Sequence, residues 1–123
     1  MSSLTRSAVA QMVDHTLPRP EATAEEVAEL VAEAQELGAY AVCVSPSQLP
    51  LKGTGRLKVA VVCGFPSGAS KAEVKAAEAA GSAADGADEV DMVINLALAT
   101  TGHYDAVQEE IAAVRAAVPP LWC

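Results

Sequence analysis

Aromatic side chains are almost missing from this 123-residue sequence, where one Trp, two Tyr and one Phe make up 3% of the chain. A core without large rings must be built from Ala, Val, Leu and Ile, and alanine alone fills about a fifth of the positions. Small residues imply close packing between elements. Basic residues are scarce too, with 8 Lys plus Arg against 16 Asp plus Glu, a net charge of -8 and a pI near 4.6. That sign argues against nucleic-acid backbones and anionic membrane surfaces, which are bound by basic patches. A small molecule or another protein is the expected partner. No apolar run approaches the roughly 18 residues of a membrane span, and Met1-Ser-Ser-Leu-Thr-Arg6 lacks the hydrophobic stretch of a secretory signal. A cytoplasmic location is therefore expected. Cys43, Cys63 and Cys123 form an odd set without C-x-x-C spacing or neighbouring histidines, so neither a disulfide framework nor a zinc site is supported. His15 and His103 are far apart and propose no metal site. Low-complexity tracts are also absent.

What is present is apolar and ordered. Hydrophobic residues make up 51% of the chain and mean hydropathy is +0.25, which excludes a disordered polymer and leaves one domain's worth of sequence. Ser7 to Val13 reads as a short helix, followed by a connecting loop over Asp14-His-Thr-Leu-Pro18, where Pro18 and Pro20 forbid continuation. Thr23-Ala-Glu-Glu26 is a capping box opening a helix to about Leu37. Its apolar face is Val27, Leu30, Val31, Ala34 and Leu37, and Gly38 supplies the stop. Tyr40 to Ser45 reads as a strand, and Lys58 to Phe65, beyond the Gly53-Thr-Gly55 turn, as another. Ser70-Lys-Ala-Glu73 reads as a second capping box, opening an alanine-rich helix with Val74, Ala77, Gly81 and Ala84 along one side. Asp88 to Asn95 gives a third strand. A final helix stripes Val107, Ile111, Val114 and Val118 before Pro119-Pro120 ends it. Strands alternating with amphipathic helices mean parallel strands joined by right-handed crossovers, an α/β chain.

Asp91 is the most informative residue. Val90, Met92 and Ile94 share one apolar face of their strand, so Glu89, Asp91, Val93 and Asn95 share the other. With helices on one side only, Asp91 then points into a barrel interior, where an unpaired carboxylate costs several kcal/mol and calls for a partner. Cations are few: Lys58 lies at the opposite strand end, and Lys52, Lys71 and Lys75 lie in loops or helices and read as solvated. A catalytic acid or base and a structural aspartate bonded to backbone both suit such a position. Cys43, in the Ala41, Cys43, Ser45 register, either faces the interior or is a small hydrophobe chosen for volume. Asp14-His15-Thr16 has the parts of a triad but no spaced nucleophile. Phe65-Pro-Ser-Gly68 precedes a helix, where anions can meet free amides, yet carries no phosphate-binding lysine.

Taken in order, Val13-Asp-His-Thr-Leu17, Pro20-Glu-Ala-Thr23, Tyr40-Ala-Val-Cys-Val-Ser-Pro46, Val59-Ala-Val-Val-Cys-Gly-Phe-Pro66 and Gly86-Ala-Asp-Glu-Val-Asp-Met-Val-Ile-Asn95 closely resemble the deoxyribose-phosphate aldolase family. The likeness runs from about Val13 to Val118, and Gly-Ala-Asp-Glu-Val-Asp is its sharpest part. The resemblance implies a (β/α)8 TIM barrel, here a truncated N-terminal portion with about three parallel β/α units. It implies one partial barrel domain over residues 1–123: an N-terminal helix and loop at 1–22, three β/α units at 23–118 and an atypical tail at 119–123. The implied activity is that of a class I aldolase, a lyase of deoxyribonucleotide catabolism. It cleaves 2-deoxy-D-ribose 5-phosphate to glyceraldehyde 3-phosphate and acetaldehyde through a lysine Schiff base, without metal or organic cofactor. Asp91 matches the family's proton-relay aspartate, Asp14 and Thr16 match polar residues near the barrel mouth, and Cys43 matches a cysteine beside the substrate pocket. The Schiff-base lysine is expected outside this chain. A homo-oligomer is implied as well. The alternative is a non-catalytic half-barrel that self-associates or pairs with a complementary chain.

Overall fold

The computed structural model describes residues 3–120. Four strands form a single sheet in the order β1-β2-β3-β4, every neighbouring pair parallel. The strands are β1 (Asp14–Leu17), β2 (Ala41–Val44), β3 (Lys58–Cys63) and β4 (Glu89–Met92), and the helices are α1 (Arg6–Ala10), α2 (Ala24–Leu37), α3 (Ala72–Ala84), α4 (Leu96–Thr100) and α5 (Tyr104–Ala117). The parallel α/β architecture expected from the alternation is present.

The count of strands differs from the expected three. Asp14–Leu17, read from sequence as a connecting loop, pairs along its whole length with Ala41–Val44 and becomes an edge strand. Pro18 is compatible with this because it follows the last paired residue and withholds no amide from the ladder. The strand tips are also shorter than their apolar runs. β3 stops at Cys63 because Gly64 turns the chain at φ 66°, and β4 covers Glu89–Met92 rather than Asp88 to Asn95.

α2 forms as its sequence dictates. Thr23 Oγ1 accepts from the Glu26 amide at 3.2 Å while Glu26 returns a carboxylate to the Thr23 amide at 2.8 Å, and Gly38 closes the helix in the left-handed region. Val27, Leu30, Val31 and Ala34 are buried, but Leu37 lies 53% exposed at the stripe's end. The second expected capping box does not form. Lys71, not Ser70, takes the N-cap position of α3, and no side chain caps it. The buried face of α3 is Lys75, Ala79 and Ser82, whereas Val74 is 54% exposed. Alanines on every side give this helix little periodicity, so packing against α5 chooses the face. α5 buries Val107, Glu110 and Val114, leaving Ile111 outside.

Helices and loops cover one face of the sheet. Val42, Val44, Val59, Val61, Cys63 and Val90 point into that layer and meet Val27, Leu30, Val31, Ala34, Ala79, Val114 and Val118. β2 and β3 are joined by a short 3-10 turn and an irregular segment, residues 45–57, instead of a helix. Leu57 is buried there, and Leu49 and Leu51 pack on the core, so three leucines supply the apolar cover a crossover helix would have given. The opposite face carries a small cluster of Cys43, Ala60 and Val62. Cys123 lies outside the described residues, as does most of the expected tail.

Candidate active site

The register fixes which side chains share the uncovered face. Asp14, Ala41 and Lys58 form one row across β1, β2 and β3; Thr16, Cys43, Ala60 and Glu89 form the next; Val62 and Asp91 pair nearer the C-terminal ends. Asp14, Thr16, Cys43 and Asp91 therefore stand on one face, as their parity demands. His15 does not join them. It faces the helix layer, where Nε2 lies 3.4 Å from Glu33 of α2, so the Asp-His-Thr run is divided between two sides of the sheet and forms no triad. Thr16 donates its hydroxyl to the Asp14 carbonyl at 2.9 Å. His103 sits beyond α4, its Nδ1 2.7 Å from the Thr101 hydroxyl.

Asp91 is exposed on this face and, among the described residues, makes no hydrogen bond or ion pair. Among the described residues the Asp91 carboxylate is thus open to water, whereas Cys43, Ala60 and Val62 on the same face are buried. Its charge nevertheless acts on a neighbouring carboxyl. Partial burial, then Glu89, then Asp91 raise the Asp14 carboxyl above its ordinary 3.8. Burial, helped by Asp91, Asp14 and Glu89, pushes the Cys43 thiol up to about 12. That shift favours the neutral thiol, and the side chain is buried on this face.

Glu89 was not singled out from sequence, although its parity with Asp91 was visible there. Its Oε1 accepts from the Tyr40 hydroxyl at 2.7 Å, and this bond, with burial and the nearby acids, raises the Tyr40 pKa. Asp88 has a structural task. Its carboxylate accepts from the Val59 amide at 2.9 Å while its own amide donates to the Val59 carbonyl at 2.7 Å, pinning the start of β4.

At the C-terminal end of the sheet a cleft of about 290 Å³ opens between Pro18, Ser45, Val62 and Phe65. Ser45 closes one wall by donating to the Pro18 carbonyl at 3.1 Å. Among the described lysines none faces this cleft, and Lys58 lies at the opposite end of its strand. Lys75, read from sequence as solvated, is fully buried in the helix layer and ion-paired with Glu110. Among the described residues no group of three or more His, Cys, Asp or Glu is gathered to hold a metal ion.

A parallel sheet with helices on one side, small residues and carboxylates on the other, and a cleft at its C-terminal end is built as part of a β/α-barrel wall. The chain belongs to the DeoC/LacD family aldolases, whose family profile matches residues 8–118. It is 63% identical over 116 residues to the deoxyribose-phosphate aldolase of Kocuria rhizophila, covering 94% of this chain and 53% of that protein. Among solved structures it superposes on QR15, an aldolase, with TM-score 0.83 and 35% identity over 92% of this chain and 52% of that one. The deoxyribose phosphate aldolase of Aeropyrum pernix, described as a unique tetramer, gives TM-score 0.79 and 33% identity over 92% of this chain and 49% of that one. The chain thus spans about half the length of the relatives it matches.

Proposed function

We propose that this chain supplies one wall of a deoxyribose-phosphate aldolase site, cleaving 2-deoxy-D-ribose 5-phosphate reversibly to glyceraldehyde 3-phosphate and acetaldehyde. The carrying observation is the placement of Asp91 on the uncovered face, level with Val62 toward the C-terminal strand ends, where barrel enzymes keep their chemistry. In this reading Asp91 moves protons during the carbinolamine and enamine steps, work suited to a carboxylate poised beside a reacting amine. Asp14, Thr16 and Cys43 support the substrate pocket. In this reading the Schiff-base lysine lies outside this chain, in keeping with Lys75 buried in the helix layer, Lys58 at the far end of its strand and no described lysine lining the cleft. Residues 1–123 act as one partial barrel domain, without metal or organic cofactor, on a phosphosugar in the cytoplasm, as part of deoxyribonucleotide catabolism. The acidic balance disfavours nucleic-acid and membrane partners. Self-association is the second reading, favoured by β1 and β4, which are both open sheet edges among the described residues.

Complementation tests the proposal. The chain is co-expressed with the remaining half of the Kocuria rhizophila aldolase, and aldehyde release is followed in a coupled assay. Turnover that needs both chains supports the reading. A soluble complex of the two chains that releases no aldehyde, and forms no borohydride-trapped ethyl adduct with acetaldehyde, overturns it.

A further inference from the structure

The buried Lys75–Glu110 pair does more than join two helices. Lys75 is wholly inaccessible and Glu110 is 5% exposed. One carboxylate oxygen of Glu110 takes the Lys75 ammonium, and the other accepts the backbone amide of Asn95 at 2.8 Å. Asn95 is the residue at which the chain leaving β4 enters α4, and its side chain caps that helix through the Leu98 amide at 3.1 Å. Glu110, held on α5, therefore grips the turn immediately beyond Asp91.

The lysine reaches the neighbouring loop by packing. Its methylenes run beneath Gly64 so closely that a Cβ there would meet the Lys75 side chain at 2.9 Å. Gly64 itself accepts from the Gly68 amide at 2.7 Å and donates to Glu78 at 2.8 Å. Gly68 in turn abuts the β4 turn, where a Cβ would fall 2.1 Å from the Ile94 carbonyl oxygen. The Val93 amide continues the strand ladder to the Cys63 carbonyl at 2.8 Å. The loops after β3 and β4 thus touch each other, and both rest on the ion pair.

We propose that Lys75 and Glu110 are positioning residues that set the height and orientation of the β4–α4 turn, and through it the Asp91 carboxylate, at the mouth of the sheet. Stability alone is a poor account of the pair, since apolar side chains of similar volume commonly replace a buried ion pair without loss. Such side chains would offer nothing to the Asn95 amide. The purpose assigned to Asp91 rests on the aldolase reading, but the geometry of the turn can be measured without it.

The test uses hydrogen exchange and carboxyl-carbon NMR on the 123-residue chain, with two double variants of equal net charge. Lys75→Met with Glu110→Met removes the pair and the acceptor, whereas Lys75→Met with Glu110→Gln removes the pair but leaves an oxygen for Asn95. In the first, the Asn95 amide should exchange at least ~10-fold faster relative to Val61 and Val90, and the Asp91 carboxyl signal should shift. The second should return both toward wild type. Unchanged Asn95 protection, loss shared equally with Val61, or no rescue by Gln overturns the proposal. The wild-type chain adds a reading that needs no substitution: a scalar coupling across the hydrogen bond from the Asn95 nitrogen to the Glu110 carboxyl carbon. Its absence also overturns the proposal. Failure of the aldolase reading would appear only in the turnover assay.

Discussion

The two faces of one sheet are made by alternate residues of the same four strands, yet they are different materials. Val42, Val44, Val59, Val61 and Val90 on the helix side are between 0% and 6% exposed and belong to one apolar cluster. Their neighbours in sequence, Ala41, Cys43, Ala60 and Val62, are smaller or equal in size and lie among Asp14, Thr16, Glu89 and Asp91. A branched side chain fills a dry layer to crystal-like density, whereas alanine and cysteine leave room for polar groups and whatever they bind. The comparison shows that the period-2 alternation separates the requirements of stability from those of chemistry, so each face can change while the other stays.

The largest effect should come from exchanging the roles of adjacent residues on β4. Val90→Asp would bury an unpaired carboxylate at a position only 2% exposed, costing more than about 4 kcal/mol and abolishing the cooperative thermal transition. Asp91→Val, one residue on, should leave the melting temperature unchanged or raise it, because it removes one of three neighbouring carboxylates; equal losses in calorimetry would erase the contrast. Next, in the complemented enzyme, Asp91→Asn should lower kcat by roughly 10² or more with little change in melting. Wild-type turnover in that variant would take Asp91 out of the mechanism.

A smaller effect concerns Cys43. With its thiol pushed up to about 12, alkylation mapped by mass spectrometry should rise about tenfold per pH unit through the alkaline range and be negligible near neutrality. Rapid labelling of Cys43 at neutral pH in the folded chain would contradict the placement. The smallest effect is at Asp14. Its folded-state pKa is raised above 3.8, so the folded chain holds this proton more tightly than the unfolded one. That contribution to stability is complete below 3.8 and is lost as pH rises through the folded value, leaving the ionised group a burden at neutrality. Asp14→Asn should therefore raise the melting temperature slightly at neutral pH and not at about pH 3.

Much of this division was legible in the sequence. The parity of Glu89-Val90-Asp91-Met92, the Thr23–Glu26 capping box and the Val27, Leu30, Val31, Ala34 stripe all follow from local rules, and the structure keeps them. β1 was hidden because a four-residue edge strand with three polar residues, followed by Pro18 and Pro20, has the composition of a turn; only pairing with β2 makes it a strand. The face of α3 was hidden by alanine, which is at home on any side of a helix. Lys75 and Glu110 were hidden for a stronger reason. A lysine at a helical position reads as solvated, and its burial depends on a carboxylate 35 residues away that no local pattern announces.

The order of the strands in space is their order along the chain. As a nascent polypeptide emerges from its N-terminus, β2, β3 and β4 therefore each meet a neighbour that is already made. β2 can close on β1 once α2 has formed, β3 can close on β2 after the leucine-lined connection, and β4 can then close on β3. Contacts between sequence neighbours also carry the lowest loop-closure cost available to parallel strands, which normally assemble slowly. The carboxylate on which the proposed chemistry depends is thus laid down on the fourth strand, upon the three strands that precede it.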